Sequence, residues 1–298
     1  MMNKIHQVLS SICLFIILAV SCSKKETETI PISYDAIKAA FGNNINLNSL
    51  ANYAGQAKPA YIIKDNTGNN TISNAKASIG RVLFYDKNLS INNTISCSSC
   101  HKQEFAFSDT ALVSSGVAGG LTTRHSMRLV NSRFAVEQKF FWDERAATLE
   151  LQTTQPVRDH AEMGFSGQNG RPDLNTLLAR LQGIAYYNEL FKFAYNDINV
   201  TESRMQECLA QFIRSIQSFD SKYDAGRAQV ANDNQNFPNF TPMENLGKNL
   251  FLAPPVFDAN SSRIAGGLGC NACHNAPEFD IDPNSRNNGI IGMTNSPG

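Results

Sequence analysis

The sequence predicts an all-α protein with long loops, built as two units of one kind, the second incomplete. Three observations predict it. The pattern Cys-x-x-Cys-His occurs twice, at Cys97–His101 and Cys270–His274. A similar stretch precedes each: "IGRVLFYDKNLS" (79–90) and "LGKNLFLAPPVFD" (246–258) both open apolar-Gly-basic-x-Leu-Phe, as an internal duplication would leave them. Between the motifs, apolar positions recur at helical spacing, and long alternating runs that would read as strands are absent.

The chain opens on Lys4 and an apolar run from Val8 to Val20 that ends in Ala19-Val20-Ser21-Cys22. That run is short for a membrane span and fits a secretory signal. Small residues ending at a cysteine resemble a bacterial lipobox, so residues 1–21 read as a lipoprotein-type signal peptide and Cys22 as the lipidated residue. The polar stretch that follows, "SKKETETIP", opens a tether or linker over 22–55. Export to the periplasm or cell envelope follows, with the membrane reached through a lipid anchor only. Lysine plus arginine equals aspartate plus glutamate, 26 each. That balance gives no basic excess for nucleic acid. At 42% hydrophobic residues the chain can bury a sizeable core.

Next come the cysteines. C-x-x-C-H is the attachment sequence of c-type haem. Two intervening residues set the sulfurs at the separation of the haem vinyl groups, and the following histidine is carried under the iron. Zinc would need both pairs to meet in one four-cysteine site, and would leave both histidines unexplained. A dithiol redox couple would want one motif beside a βαβ pattern. Two covalently bound haem c groups are therefore expected. Cys97, Cys100, Cys270 and Cys273 are the tethers, and His101 and His274 are the iron ligands. A short helix, a loop and a haem-binding helix is the unit this suggests.

The first haem domain is expected over 56–235. It includes amphipathic helices at 173–184 and 187–196, and a third, "ESRMQECLAQFIRSIQSFD", whose apolar face makes Cys208 a buried, inert thiol. The polar, proline-containing stretch 227–242 reads as the connection between domains. The second domain is expected over 236–298. The chain stops at "IIGMTNSPG" shortly after His274, too soon to enclose a second haem, so a C-terminal truncation is expected.

Four stretches carry a resemblance to a known family: "LFYDKNLSINNTISCSSCHKQEFAFSD", "SSGVAGGLTTRHSMRLVNSRF", "KFFWDERAATLELQTTQPVRDHAEMGF" and "CLAQFIRSIQSFDSKYD". In order and spacing they are similar to the bacterial di-haem cytochrome c peroxidases, a family that includes the relatives of the methylamine dehydrogenase maturase. The resemblance implies reduction of hydrogen peroxide to water at the N-terminal haem. It also implies an electron-accepting C-terminal haem, fed by a small cytochrome c or cupredoxin. It makes Glu162 in "HAEMG" the active-site carboxylate, Gln152 in "LELQ" the active-site glutamine, and Trp142 the tryptophan between the haems. A carboxylate in a low-dielectric pocket can move a proton from one peroxide oxygen to the other. Glutamine can orient but cannot carry a proton. The family is commonly dimeric, which implies a homodimer here.

Three departures matter. Where well-studied members carry a second, blocking histidine after the proximal one, this chain has Val117. Valine cannot ligate iron, so an open first haem that needs no reductive activation is expected, with His125 and His160 as the alternative ligands. His125 stands where the family usually has an asparagine that helps hold calcium between the domains. Imidazole is a poor calcium ligand, which argues against calcium; a hydrogen bond to a haem propionate is the plainer role. The second haem's distal ligand, a methionine in typical members, is not expected to be Met293. Two other activities compete: a di-haem oxidase or maturase acting on a protein substrate, and a plain electron-transfer cytochrome.

Overall fold

Helices dominate the computed structural model, which describes residues 33–136 and 139–281. In chain order they are α1 (Asp35–Phe41), α2 (Asn74–Tyr85), α3 (Cys97–Cys100), α4 (Leu149–Thr153), α5 (Gln155–Arg158), α6 (Leu174–Gln182), α7 (Ala185–Tyr195), α8 (Glu202–Arg214), α9 (Lys222–Arg227) and α10 (Pro242–Leu252). Long loops and single 3-10 turns join them.

The centre of the core is the contact of α2 with α8. Ser73 starts α2 by accepting a hydrogen bond from the Lys76 amide, and Thr201 starts α8 in the same way through Arg204. Such caps satisfy amides that a helix start leaves open. The helical spacing of Met205, Cys208, Leu209, Phe212 and Ile213 puts them all on one buried face of α8. Gly80 lets the two backbones meet: a Cβ there would lie 1.9 Å from the Cys208 carbonyl oxygen. Cys208 is fully buried, and burial pushes its thiol up to about 12; it is the inert core thiol that the periodicity predicts. On the outer side of α8, the buried Arg214 pairs with Glu150 of α4.

Two expectations need correction. The stretch expected as a tether up to residue 55 is folded from Tyr34 on: Ile37, Leu47 and Tyr53 belong to the core, and Glu189 of α7 accepts the Ala36 and Ile37 amides at the start of α1. Its polar composition hid a few well-spaced apolar residues. The fold is also not wholly helical. β1 (Pro255–Phe257) pairs antiparallel with β2 (Arg263–Gly266), and β3 (His274–Asn275) with β4 (Asp280–Ile281). These strands are too short for a period of two to show in the sequence.

The described residues from Tyr34 on form one compact unit. Among the described residues no helix is long and apolar enough to cross a membrane. The expected signal peptide, Cys22 and Met293 lie outside the described residues.

Candidate functional site

The first cysteine pair sits on a single helical turn. Ser99 Oγ accepts from the Ser96 amide at 3.0 Å, and Ser98 Oγ lies 2.8 Å from Ser96 Oγ, so the residues between the cysteines fix the start of α3. Positions three apart on a helix share a face, which sets Cys97 and Cys100 side by side. His101 ends the turn, its amide donating to the Cys97 carbonyl at 2.9 Å. Ala106 and Phe107 both adopt left-handed backbone, φ 57° each. That reversal brings the Phe107 carbonyl 2.9 Å from His101 Nδ1. A carbonyl only accepts, so Nδ1 donates to Phe107, the kind of orienting hydrogen bond a metal-ligating histidine makes; the Met127 backbone also lies within reach of the ring. Burial lowers the imidazole's proton affinity and keeps it neutral.

Burial likewise pushes the Cys97 thiol up to about 12, and the Cys100 thiol above its ordinary value. Among the described residues no three His, Cys, Asp or Glu side chains are grouped to hold a metal ion, so the two cysteine pairs do not meet in one site.

Cys97, Cys100 and His101 face a cavity of about 350 Å³ whose wall also includes Phe84, Trp142, Gln152 and Glu162. The structure therefore brings together the first motif and all three residues assigned to the reaction from sequence. The second motif's Cys270, Cys273 and His274 are not part of this wall. Two thiols, one neutral imidazole and a largely apolar wall fit a covalently held haem. Arg124 and Arg145 on the same wall suit its propionates.

Glu162 is placed by backbone. Asp159 Oδ1 accepts from the Ala161 and Glu162 amides at 2.8 and 2.9 Å. The Val117 amide reaches the Ala161 and Glu162 carbonyls, each at 3.0 Å. Gly116 and Gly120 permit that approach: a Cβ on either would lie 2.0 or 2.6 Å from the Ala161 carbonyl oxygen. The Glu162 carboxyl is raised to about 7, first by burial and then by Asp159, with Arg145 opposing. It can hold or release a proton near neutrality. Gln152 lies on α4, a helix started by Thr148; its backbone amide donates to the Thr148 carbonyl at 3.0 Å, and its side chain lines the cavity. The Trp142 indole donates to the His125 carbonyl at 2.8 Å, and the residue is 45% exposed. The partner that a buried indole would require is there, but Trp142 rims the cavity rather than filling the core.

His125 uses both ring nitrogens inside the protein, towards Ser108 Oγ at 3.1 Å and the Ala111 carbonyl at 2.9 Å. Both contacts are to the protein, and the ring also borders the cavity. His160 Nδ1 lies 2.9 Å from Ser166 Oγ. His125 is on the cavity wall and His160 is not; Val117 is buried but lies outside that wall, beside its neighbour Gly116, which is part of it.

The second motif is built differently. Cys270–Ala272 is a 3-10 turn entered through Gly269 at φ 72°, and His274 begins β3 instead of closing a helix. Cys273 and His274 are exposed. Sequence reasoning missed two contributors to the first cavity: the arginines, and the segment Glu278–Ile281, which forms part of its wall. The crowding of charge around Trp142 in "WDER" was a signal for Arg145. For the segment there was none.

A family-wide profile described as di-haem cytochrome c peroxidase matches residues 74–232, a span that contains the first motif, Trp142, Gln152 and Glu162. The methylamine utilization protein MauG of Methylophilus methylotrophus is 31% identical over 214 residues, 72% of this chain and 56% of that protein. The cytochrome c551 peroxidase of Nitrosomonas europaea is 28% identical over 201 residues, 67% and 52% of the two chains. The chain spans about half the length of these curated relatives. Among solved structures, a MauG-like protein associated with microbial copper homeostasis matches with a TM-score of 0.55 at 28% identity, covering 78% of this chain and 62% of that one.

Proposed function

The chain belongs to the di-haem cytochrome c peroxidase family, and from that premise we propose that it reduces hydrogen peroxide to water as an exported di-haem c-type cytochrome. Two electrons come from a small cytochrome c or cupredoxin, and two protons complete the conversion of one peroxide to two waters. We place it in the periplasm or cell envelope, anchored through Cys22, with haem held covalently by Cys97 and Cys100 and by Cys270 and Cys273. His101 and His274 are the iron ligands. The haem at the first motif would supply the redox-active iron at which the O–O bond is cleaved.

The observation that carries this reading is Glu162: a carboxyl raised to about 7, on the wall of the cavity that holds His101, Cys97 and Cys100. Its Oε atoms can take a proton from one peroxide oxygen and return it to the other. Gln152 orients peroxide or water beside it. Trp142, at the rim and held by the His125 carbonyl, lies where electrons would enter. Val117 stands in the sequence where a blocking histidine would, and valine cannot ligate iron, so the first site is open at rest in this reading.

Steady-state peroxide turnover with a reduced cytochrome donor tests the proposal. Glu162→Gln is expected to lower turnover by about 10²–10⁴-fold, the usual worth of a positioned acid–base group, with haem content unchanged. Absence of turnover in the wild type overturns the peroxidase reading, and unchanged turnover in the variant overturns the role of Glu162. A second reading, oxidation of a protein substrate, is favoured by one feature. Trp142 is half exposed at the cavity rim, where an oxidising equivalent could leave to a docked partner. Trp142→Phe would then abolish partner oxidation while peroxide still reacted.

A further inference from the structure

The segment that follows the second motif is held by buried charge. Glu278 and Asp280 have side chains only 2% and 5% exposed, and both close on Lys64 Nζ, at 3.1 and 2.5 Å. The other Asp280 oxygen accepts from the Val136 amide at 2.7 Å. Val136 lies just upstream of Trp142, on the loop that starts from Asn131. That loop is itself tied to the residues beside Lys64. The Asn66 amide donates to the Arg133 carbonyl at 2.9 Å, and the Arg133 guanidinium donates to Asp65 through Nε at 3.0 Å. Lys64 thus stands at the junction of three segments: its own, the one leading to Trp142, and the one leading away from the second motif.

The register of the last strand pair gives this junction a purpose. His274 pairs with Ile281, and Asn275 with Asp280, while Asp280 and Ile281 line the first cavity. One short ladder therefore has the second motif's histidine on one strand and the first cavity's wall on the other. A strand pair of this length is not stable by itself in water. Phe279, between the two carboxylates, stacks edge-on against Tyr223 and Phe251 at 4.8 and 5.7 Å, but it stays 40% exposed. The ion pairs supply the directional hold.

We propose that Lys64, Glu278 and Asp280 form a latch that fixes the second motif's hairpin against the Trp142 loop and so sets the geometry between the two haem sites. The inference rests on the two-haem reading. Lys64 and the two carboxylates are positioning residues, acting through Trp142 and His274 without touching the reactants. Removing Lys64 leaves two buried carboxylates without a cation, and they draw the hairpin towards water.

The test uses the haem-loaded full chain with Lys64→Met and Lys64→Arg, compared with wild type. Haem content is measured first; fewer than two haems in the wild type overturns the two-haem reading itself. With two haems present, hydrogen exchange at the Val136 amide is expected to accelerate in Lys64→Met by roughly tenfold or more, the factor one lost charge-assisted hydrogen bond corresponds to. The rate of electron transfer between the haems after one-electron reduction is expected to fall by roughly tenfold to a hundredfold, as ångström-scale misplacement does elsewhere. Lys64→Arg is expected to restore both. Unchanged exchange, an unchanged transfer rate, or losses that arginine fails to restore would each overturn the latch. Should Lys64→Met not fold, Asp280→Asn carries the same two measurements, with the same outcomes.

Discussion

Cys97–His101 and Cys270–His274 carry the same five-residue pattern, each behind a helix that bears apolar-Gly-basic-x-Leu-Phe, yet the two stand in opposite surroundings. Before the first, α2 buries Ala77, Ile79, Gly80, Val82, Leu83 and Phe84. Before the second, α10 buries only Asn245 and Lys248, and leaves Met243 and Leu246 74% and 49% exposed. His101 is fixed through Nδ1 to the Phe107 carbonyl, whereas the His274 ring has no hydrogen bond among the described residues. The motif specifies attachment chemistry. What orients the histidine and encloses the cavity comes from elsewhere in the chain, chiefly α8 and the loops after α3. Only the first site has these around it among the described residues.

Substituting the two equivalent glycines would break or sharpen this contrast most strongly. A Cβ at Gly80 would meet the Cys208 carbonyl oxygen at 1.9 Å and its carbon at 2.6 Å. Those are backbone atoms, so relief requires α2 and α8 to part. Gly80→Ala is expected to lower unfolding stability by about 3 kcal/mol or more. At Gly247 a Cβ meets nothing within 4 Å. Gly247→Ala should be neutral, or stabilising by up to about 1 kcal/mol through helix propensity. Urea unfolding followed by circular dichroism measures both. Equal costs at the two positions would show that α10 has a packed partner after all.

A smaller effect separates the two sites by pH. The Glu162 carboxyl is raised from 4.5 to about 7 in the folded chain, and the second motif has no such group. Between those values the folded chain holds a proton that the unfolded chain has released, so stability falls as pH rises through this window and levels off above it. Glu162→Gln removes the effect. The variant should match the wild type near pH 4 and exceed it near pH 8 by about 2 kcal/mol, less than the full shift because the site is partly open to solvent. Thermal unfolding across that range checks it. A pH-independent difference would mean that Glu162 is already ionised in the folded chain.

How far the sequence reaches follows from what each residue depends on. Cys97, Cys100 and His101 were legible because attachment chemistry dictates a fixed local spacing. The α8 face was legible because burial of one side of a helix writes a period of 3.6. Glu162, Gln152 and Trp142 were assigned through resemblance, since nothing in "HAEMG" or "LELQ" alone says that they face one cavity. The cradle of Gly116 and Gly120 around the Ala161 carbonyl depends on contacts between segments distant in the chain, as does the Lys64 junction with Asp280. Tertiary contacts of that kind leave no periodic trace. The folding of α1 went unseen for a related reason: three core residues, Ile37, Leu47 and Tyr53, are too far apart to form one face.

The smallest expected difference lies in the helix caps, and it tests how each helix before a motif is held. Ser73 Oγ accepts from Lys76 at the start of α2, and the Ser73 amide donates to the buried Gln211 of α8 at 2.8 Å. At the start of α10, Thr241 and Glu244 exchange hydrogen bonds at 3.2 and 2.7 Å, and Lys222 lies 2.5 Å from the Glu244 carboxylate. Removing either hydroxyl should lower stability by about 1 kcal/mol. The distribution of the loss should differ. In Ser73→Ala, packing on α8 keeps α2 cooperative with the core, so exchange of its amides accelerates only as much as global unfolding does. In Thr241→Ala, α10 lacks an apolar hold of that kind, so amides over 243–252 should exchange faster while the core amides keep their protection. Uniform acceleration in both variants would mean that α10 unfolds with the core, and the contrast between the two units would be one of exposure and not of cooperativity.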